Sequence, residues 1–153
     1  MKLSLFLVIT ALVTVCSLSQ YIRENAWPIS QTDLNQPRIY AYRDWQSLGV
    51  QLERGDMVII NADGTWLYTP GEYHGPEGSS RYSAPSFYPL PHVPGGALIG
   101  RIGEKGEPFY VGKSSRFQAY TSGVLYLRID DDMLSDNEGS VTVEVTVERE
   151  SQN

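Results

Sequence analysis

Alternation of apolar and polar residues is strongest over two segments in the last third of the chain. The first, 123–129, has an aliphatic residue at every second position from Leu125 onward, and the second, 140–148, alternates valine with threonine or glutamate. A period of two in such residues is typical of strands with one buried and one solvent-facing side. We therefore predict two strands here, joined by the acidic segment 129–140.

Shorter apolar segments bounded by turn residues fill much of the remaining chain. Two of them, 57–60 and 65–69, flank Asp63-Gly64, and an Asp-Gly pair between two strands is a strong hairpin signal. No segment beyond residue 19 has helical periodicity, so we expect eight or nine short strands in an all-β protein, a β-sandwich or jelly roll. The further predicted strands are 48–52, 97–102, 108–112 and 116–119, with a strand or loop at 38–42.

The segment 70–94 interrupts this pattern. It contains most of the prolines and both histidines, with four aromatic residues between them. Proline at this density excludes a helix. A connection of this length inside a compact domain is usually a binding loop or a disordered segment, and the aromatic side chains favour an ordered one.

The first 19 residues have the layout of a secretory signal peptide. Lys2 precedes an apolar stretch over 3–15, and small residues stand before Gln20. The apolar stretch is short for a membrane span, so we expect a secreted, extracellular mature chain with no transmembrane span. A lipid anchor on Cys16 is the less favoured alternative, because Val15 is bulkier than such a site normally carries.

Length and charge limit the remaining possibilities. At 153 residues the chain has the size of one domain, and we expect 20–47 to pack as an N-terminal segment on a sandwich spanning 48–150. The net charge of −6 argues against nucleic-acid binding and against attraction to anionic membranes. Cys16 is the only cysteine, so the mature chain has no disulfide and no thiol nucleophile.

Signatures of catalysis are weak. The chain has no Gly-x-Ser-x-Gly motif, and His74 and His92 lack the helical spacing of a zinc site. Trp27 and Trp45 suit sugar stacking, although a core position is the more common role. A carboxylate pair for glycoside hydrolysis is the third-ranked option, since spacing in sequence does not set distances across a sandwich. We predict a protein that is not an enzyme.

The acidic segment is the strongest candidate for chemistry. It carries four aspartates, an asparagine and a glutamate between 130 and 138. Oxygen ligands at this density suit calcium, but they do not follow the EF-hand pattern. The same composition suits a solvated turn that keeps a sheet edge soluble. The residues alone leave these two interpretations evenly matched.

Five motifs occur in order along the chain. They are Gly55-Asp56, Gly64-Thr65-Trp66, Gly75-Pro76-Glu77-Gly78, the segment 96–103 and the segment 130–141. Together they resemble those of the calcium-dependent galactose-binding lectins of the PA-I type, from about residue 48 to 147, roughly two thirds of the chain. The resemblance implies a small jelly-roll β-sandwich of galactose-binding-domain-like type, with one calcium ion among the loops at one end and sugar hydroxyls bound directly to the ion.

The resemblance also implies a ligand set for the ion. Side-chain oxygens would come from an aspartate, its preceding neighbour and two consecutive positions that are amides in the family, and main-chain carbonyls would complete the shell. The corresponding positions here are Asp131, Asp130, Asp136 and Asn137, the carbonyl of Tyr68 or Thr69, and a carbonyl near Ser135.

Two departures from the family pattern bear on the sugar. The loop between Asp132 and Asp136 is shorter, and Asp136 stands where the family has asparagine. The family's His-Pro contact to galactose is missing, and 81–85 reads Arg-Tyr-Ser-Ala-Pro instead. Galactose specificity is therefore not implied. The predicted carbohydrate contacts are Arg81, Tyr82, His74 and Asp132.

The leading hypothesis is a secreted calcium-dependent carbohydrate-binding protein, with Ca²⁺ as cofactor and galactose-like glycans among the candidate partners. The alternative is a non-catalytic sandwich that has lost its sugar site and binds a protein partner through the tyrosines and prolines of 70–94. The identity of the sugar and the formation of a homo-oligomer are both left open by the sequence.

Overall fold

The computed structural model describes residues 36–69 and 72–149, which form nine β-strands in two antiparallel sheets. These residues contain no α-helix and one 3-10 turn, Leu134–Asp136. The predicted all-β sandwich is therefore confirmed. The strands are β1 (Arg38–Tyr40), β2 (Gln46–Leu52), β3 (Met57–Thr69), β4 (Glu72–His74), β5 (Leu98–Ile102), β6 (Phe109–Tyr110), β7 (Ser114–Gln118), β8 (Gly123–Ile129) and β9 (Glu138–Glu148).

The strand order is that of a jelly roll. One sheet has the order β1-β9-β3, and the long strand β3 pairs with β7 along its first half and with β4 along its second. The other sheet has the order β2-β8-β5-β6. With β4 set aside, β1-β9-β3-β7 faces β2-β8-β5-β6, the eight-stranded double-sheet arrangement of a jelly roll.

The hairpin predicted at Asp63-Gly64 is wrong. Strand β3 runs through this pair, and β9 pairs with it without a break from Met57 to Leu67. Gly64 has a φ of 120°, and a Cβ atom there would lie 3.1 Å from the carbonyl oxygen of Ser140. Glycine therefore allows β9 to approach closely instead of turning the chain, because the long-range ladder overrides the local turn signal.

The inward side chains of both sheets form one core that includes Trp66. Trp66 is fully buried, and its indole N–H donates a hydrogen bond of 2.9 Å to the carbonyl of Gly96. This bond joins β3 of one sheet to the turn before β5 of the other. The alternation predicted for the two best strands is seen in the buried residues Leu125, Leu127, Ile129, Val141 and Val143.

We expect Trp66→Phe to lower the free energy of unfolding by about 2 kcal/mol, because the buried carbonyl of Gly96 loses its donor. Denaturant unfolding measures the change. Tyr120→Phe removes an exposed hydroxyl that donates to the carbonyl of Glu107, and it is the matched control with little expected effect. Equal stabilities of the Trp66 variant and the wild type would contradict the role given to this bond.

Residues 75–97 form an irregular but hydrogen-bonded loop. The amide of Ala84 donates to the carbonyl of Val93 at 2.7 Å, and the amide of Gly95 donates to the carbonyl of Tyr82 at 2.9 Å. The loop also returns to β5, where the amide of Leu98 donates to the carbonyl of Pro76. Its side chains are therefore presented from a fixed backbone, as expected for an ordered binding loop.

The predicted signal peptide, Cys16 and Trp27 lie outside the described residues, so export and lipid anchoring stay predictions. Within the part of the chain that is described, no helix has the length and apolar character needed to cross a membrane. The later part of the predicted N-terminal segment contributes β1 and the start of β2 to the sheets.

Candidate functional site

The acidic segment connects the two sheets. Strand β8 ends in one sheet and β9 begins in the other, so the loop between them closes one end of the sandwich and is not the tip of a hairpin. This crossing packs its first and last residues into the end of the core. Asp130, Asp131 and Asn137 are 0%, 3% and 5% exposed.

Asp130 extends the ladder between β8 and β5. Its amide donates to the carbonyl of Ala97, and its carbonyl accepts from the amide of Gly96. In the side chain, Oδ1 accepts from the amide of Leu90 at 3.0 Å, whereas Oδ2 is buried and has no hydrogen-bond partner among the described residues. Burial raises the pKa of Asp130 to about 6, although the Leu90 amide and the charge of Arg128 lower it.

Asp131 and Asn137 contact each other across the two ends of the loop. The Asn137 amide nitrogen donates to Asp131 Oδ2 at 2.8 Å, and the backbone amide of Met133 donates to Asp131 Oδ1 at 3.3 Å. Because Asn137 donates through its nitrogen, its Oδ1 remains as an acceptor. That oxygen is also buried without a partner in the described part of the chain.

Two tyrosines form one wall of the site. The hydroxyl of Tyr68 lies 3.3 Å from that of Tyr88, and the two rings meet edge to face. Burial raises the pKa of Tyr68, and the charges of Asp131 and Asp130 raise it further against the hydrogen bond to Tyr88. Burial is also the largest cause of the raised pKa of Tyr88, followed by Tyr68 and Asp131. The phenols therefore lie within electrostatic range of the carboxylates.

Arg128 holds the backbone that presents the two aspartates. Its Nε donates to the carbonyl of Ile129 at 2.9 Å, and its terminal nitrogens bond the carbonyl of Asp131 and the carboxylate of Asp44. The guanidinium is buried and lies 5.5 Å from the centre of the Trp45 ring. The sequence interpretation missed this residue, and the only signal was an arginine among the aliphatic residues of β8.

The structure gathers part of the predicted metal set. In the antiparallel β3–β9 ladder, Leu67 pairs with Glu138. The next residue on β3, Tyr68, therefore lies alongside Asn137, the residue just before β9. Asp131 and Asn137 contact each other through their 2.8 Å hydrogen bond, and buried Asp130 directly precedes Asp131. Ser135 and Asp136 are exposed in the 3-10 turn. Thr69 is the last residue of β3, and its side chain lies outside the described part.

The predicted carbohydrate contacts lie around this cluster. His74 packs edge to face on Tyr68 with 5.9 Å between ring centres, and its Nε2 is 3.6 Å from Glu72. Exposed Arg81 pairs with the same glutamate at 3.1 Å. Tyr82 is exposed on the 75–97 loop, and Asp132 is exposed next to Asp131. His74 thus adjoins the site directly, and Arg81 is joined to it through Glu72.

The buried acceptors fit a hard cation. An unpaired carboxylate oxygen is costly to bury, and a divalent ion would offset this cost. Within residues 36–69 and 72–149, no three His, Cys, Asp or Glu side chains are grouped as metal ligands. An ion at this position would therefore depend on the amide oxygen of Asn137 and on main-chain carbonyls as well as on the aspartates.

No protein-family model and no curated protein sequence matches the chain. Among solved structures, the fold is similar to one described as the EclA N-terminal domain, a PllA-like lectin. The TM-score is 0.59 and the identity 25%, over 74% of this chain and 95% of that one. The sandwich is thus lectin-like, and the similarity supports a lectin-like family for this chain. Lectins are a non-enzymatic class, which accords with the expected lack of catalysis.

Proposed function

We propose that this protein binds carbohydrate through a calcium ion held at the end of the sandwich where β3, β8 and β9 meet. The observation that carries the proposal is the pair of buried acceptor oxygens without partners, Asp130 Oδ2 and Asn137 Oδ1, in a lectin-like fold. A solvated turn does not account for them, because a turn that only keeps a sheet edge soluble has its charges in water.

The chain's residues have distinct roles in this proposal. Asp131 and Asp130 supply negative charge, and Asn137 supplies a neutral oxygen from the opposite end of the loop. The main-chain carbonyl at the end of β3, at Tyr68 or Thr69, is the further ligand that the lectin resemblance implies, and the β3–β9 register places the end of β3 beside the start of β9. A bound calcium ion supplies coordination positions that sugar hydroxyls occupy.

The sugar is proposed to contact the exposed groups around the ion. Asp132, Tyr82 and Arg81 are exposed, and His74 packs edge to face on Tyr68. Hydroxyl-rich ligands suit this mixture of charged and aromatic groups. Galactose specificity is not part of the proposal, because the family's His-Pro contact is absent from this chain. Export rests on residues 1–19 and is likewise proposed.

Calcium titration in a calorimeter, followed by a glycan array with calcium and with chelator, tests the function. We expect calcium to bind with a Kd on the order of 0.1–1 mM, the range typical of extracellular sites. Glycan binding should disappear with chelator and return when calcium is added. Glycan binding that chelator leaves unchanged would refute the calcium mechanism but not the lectin function.

A protein-interaction module is the second candidate. It is favoured by the exposed aromatic residues Tyr73, Tyr82 and Phe87 on and beside the 75–97 loop. This candidate predicts neither calcium uptake nor glycan binding, so the same two measurements separate it from the first.

A further inference from the structure

Phe87 is a fixed, exposed aromatic residue on the 75–97 loop. It is 68% exposed, more than any other large hydrophobic residue in the described part of the chain. It lies in a turn closed by a 3.1 Å hydrogen bond from the amide of Tyr88 to the carbonyl of Pro85. Buried Ala84 precedes this turn and forms backbone hydrogen bonds to Val93 and His92. The ring is therefore presented to solvent by an ordered backbone.

The turn is attached to the candidate ion site on its other side. The Phe87 ring lies 5.3 Å from the Tyr88 ring in an edge-to-face contact, and Tyr88 hydrogen-bonds with Tyr68. Three residues beyond Phe87, the amide of Leu90 donates to the carboxylate of Asp130. Phe87 thus contacts Tyr88, one of the two tyrosines that form a wall of the candidate ion site.

We infer that Phe87 forms a second sugar subsite, on which the saccharide unit next to the ion-bound unit stacks. Pyranose rings have a face made of C–H groups, and this face complements the negative face of an aromatic ring. A phenylalanine has no hydrogen-bonding group, so it adds contact area without selecting particular hydroxyls. This inference rests on the proposed function and makes the preferred ligand class a di- or oligosaccharide.

The chain offers matched variants for a test. Phe87→Ala removes the ring, and Phe87→Trp keeps an aromatic face at the same position. Tyr120→Ala removes another exposed aromatic residue, which lies between β7 and β8 at the opposite end of the sandwich from the acidic loop. Thermal unfolding of each variant establishes that it is folded before any binding comparison.

The probes are a panel of methyl glycosides of common hexoses and the disaccharides that carry the same terminal units, titrated in calcium by calorimetry. We expect Phe87→Ala to weaken disaccharide binding roughly three- to tenfold and to leave methyl glycoside binding unchanged. Phe87→Trp and Tyr120→Ala should keep the wild-type preference for the disaccharide.

The outcomes separate this inference from the proposed function. If Phe87→Ala weakens both kinds of ligand equally, or neither, the second subsite is refuted while sugar binding stands. If the wild-type protein binds no saccharide of the panel in calcium, the proposed function fails and the inference fails with it.

Discussion

Asp131→Asn is expected to abolish the stabilisation of this protein by calcium. Asparagine matches aspartate in shape, and its one amide oxygen can still accept the 2.8 Å bond from Asn137, so only the longer 3.3 Å bond from the Met133 amide is lost and the fold should be retained. The negative charge at the centre of the proposed site is lost. We expect calcium affinity to fall at least about 100-fold, since outer-shell changes alone typically cost 10- to 100-fold.

Thermal unfolding in chelator and in about 10 mM calcium measures this effect. With a Kd of about 0.1–1 mM, calcium should stabilise the wild-type protein by roughly 1.4–2.7 kcal/mol, a rise of several degrees in Tm. Asp63→Asn makes the same chemical change at an exposed position on β3 and should keep the full rise. A calcium response in Asp131→Asn equal to that of the wild type would remove Asp131 from the ligand set.

Asp130 is expected to make the calcium-free protein less stable as pH rises. Its pKa is about 6 in the folded chain, against 3.8 for an unperturbed group, with burial as the main cause. The folded state therefore holds this proton more tightly than the unfolded state, and stability is lost between about pH 4 and pH 6. A shift of this size corresponds to about 3 kcal/mol, fully lost above pH 6.

The variant Asp130→Asn isolates this contribution. Its amide oxygen can still accept from Leu90, but it carries no charge to bury. In chelator we expect the variant to be more stable than the wild type by about 3 kcal/mol at pH 7 and to show little difference at pH 4. Urea unfolding across this pH range, with the exposed Asp63→Asn as control, measures the difference. Parallel curves of stability against pH for Asp130→Asn and the wild type would show that the pKa of the buried carboxyl is not raised.

Together, these results for Asp130 and Asp131 would show that the site lowers the stability of the calcium-free protein and binds the ion in return. A carboxylate that destabilises the calcium-free protein is retained only if it serves another purpose, and the proposed purpose is to hold the ion. In about 10 mM calcium, the wild type should recover about half or more of this deficit at pH 7, because calcium stabilises it by roughly 1.4–2.7 kcal/mol and Asp130→Asn is expected to bind the ion more weakly.

The core of the sandwich was largely predictable, because alternation reports directly which side of a strand is buried. Leu125, Leu127, Val141 and Val143 follow the predicted pattern. The Asp63-Gly64 pair shows where a local rule fails. A turn signal acts over four residues, whereas β9 contributes a ladder along most of β3, so the longer set of contacts prevails.

The lectin-like resemblance could be seen in motifs spread over two thirds of the chain, and the similar solved structure supports it at the level of the fold. The role of Arg128 could not be foreseen in the same way. Its partners Asp44 and Trp45 lie more than eighty residues away in sequence. Only the pairing of β2 with β8 brings them together.

The acidic segment and the two strands that hold it could be recognised from residue order alone. Whether those acids form a solvated turn or a buried cluster was decided by tertiary structure alone. Because β8 and β9 belong to different sheets, the loop crosses the end of the core and carries Asp130, Asp131 and Asn137 out of water. Composition specifies which side-chain oxygens the segment carries, but the crossing between the two sheets determines which of them are buried.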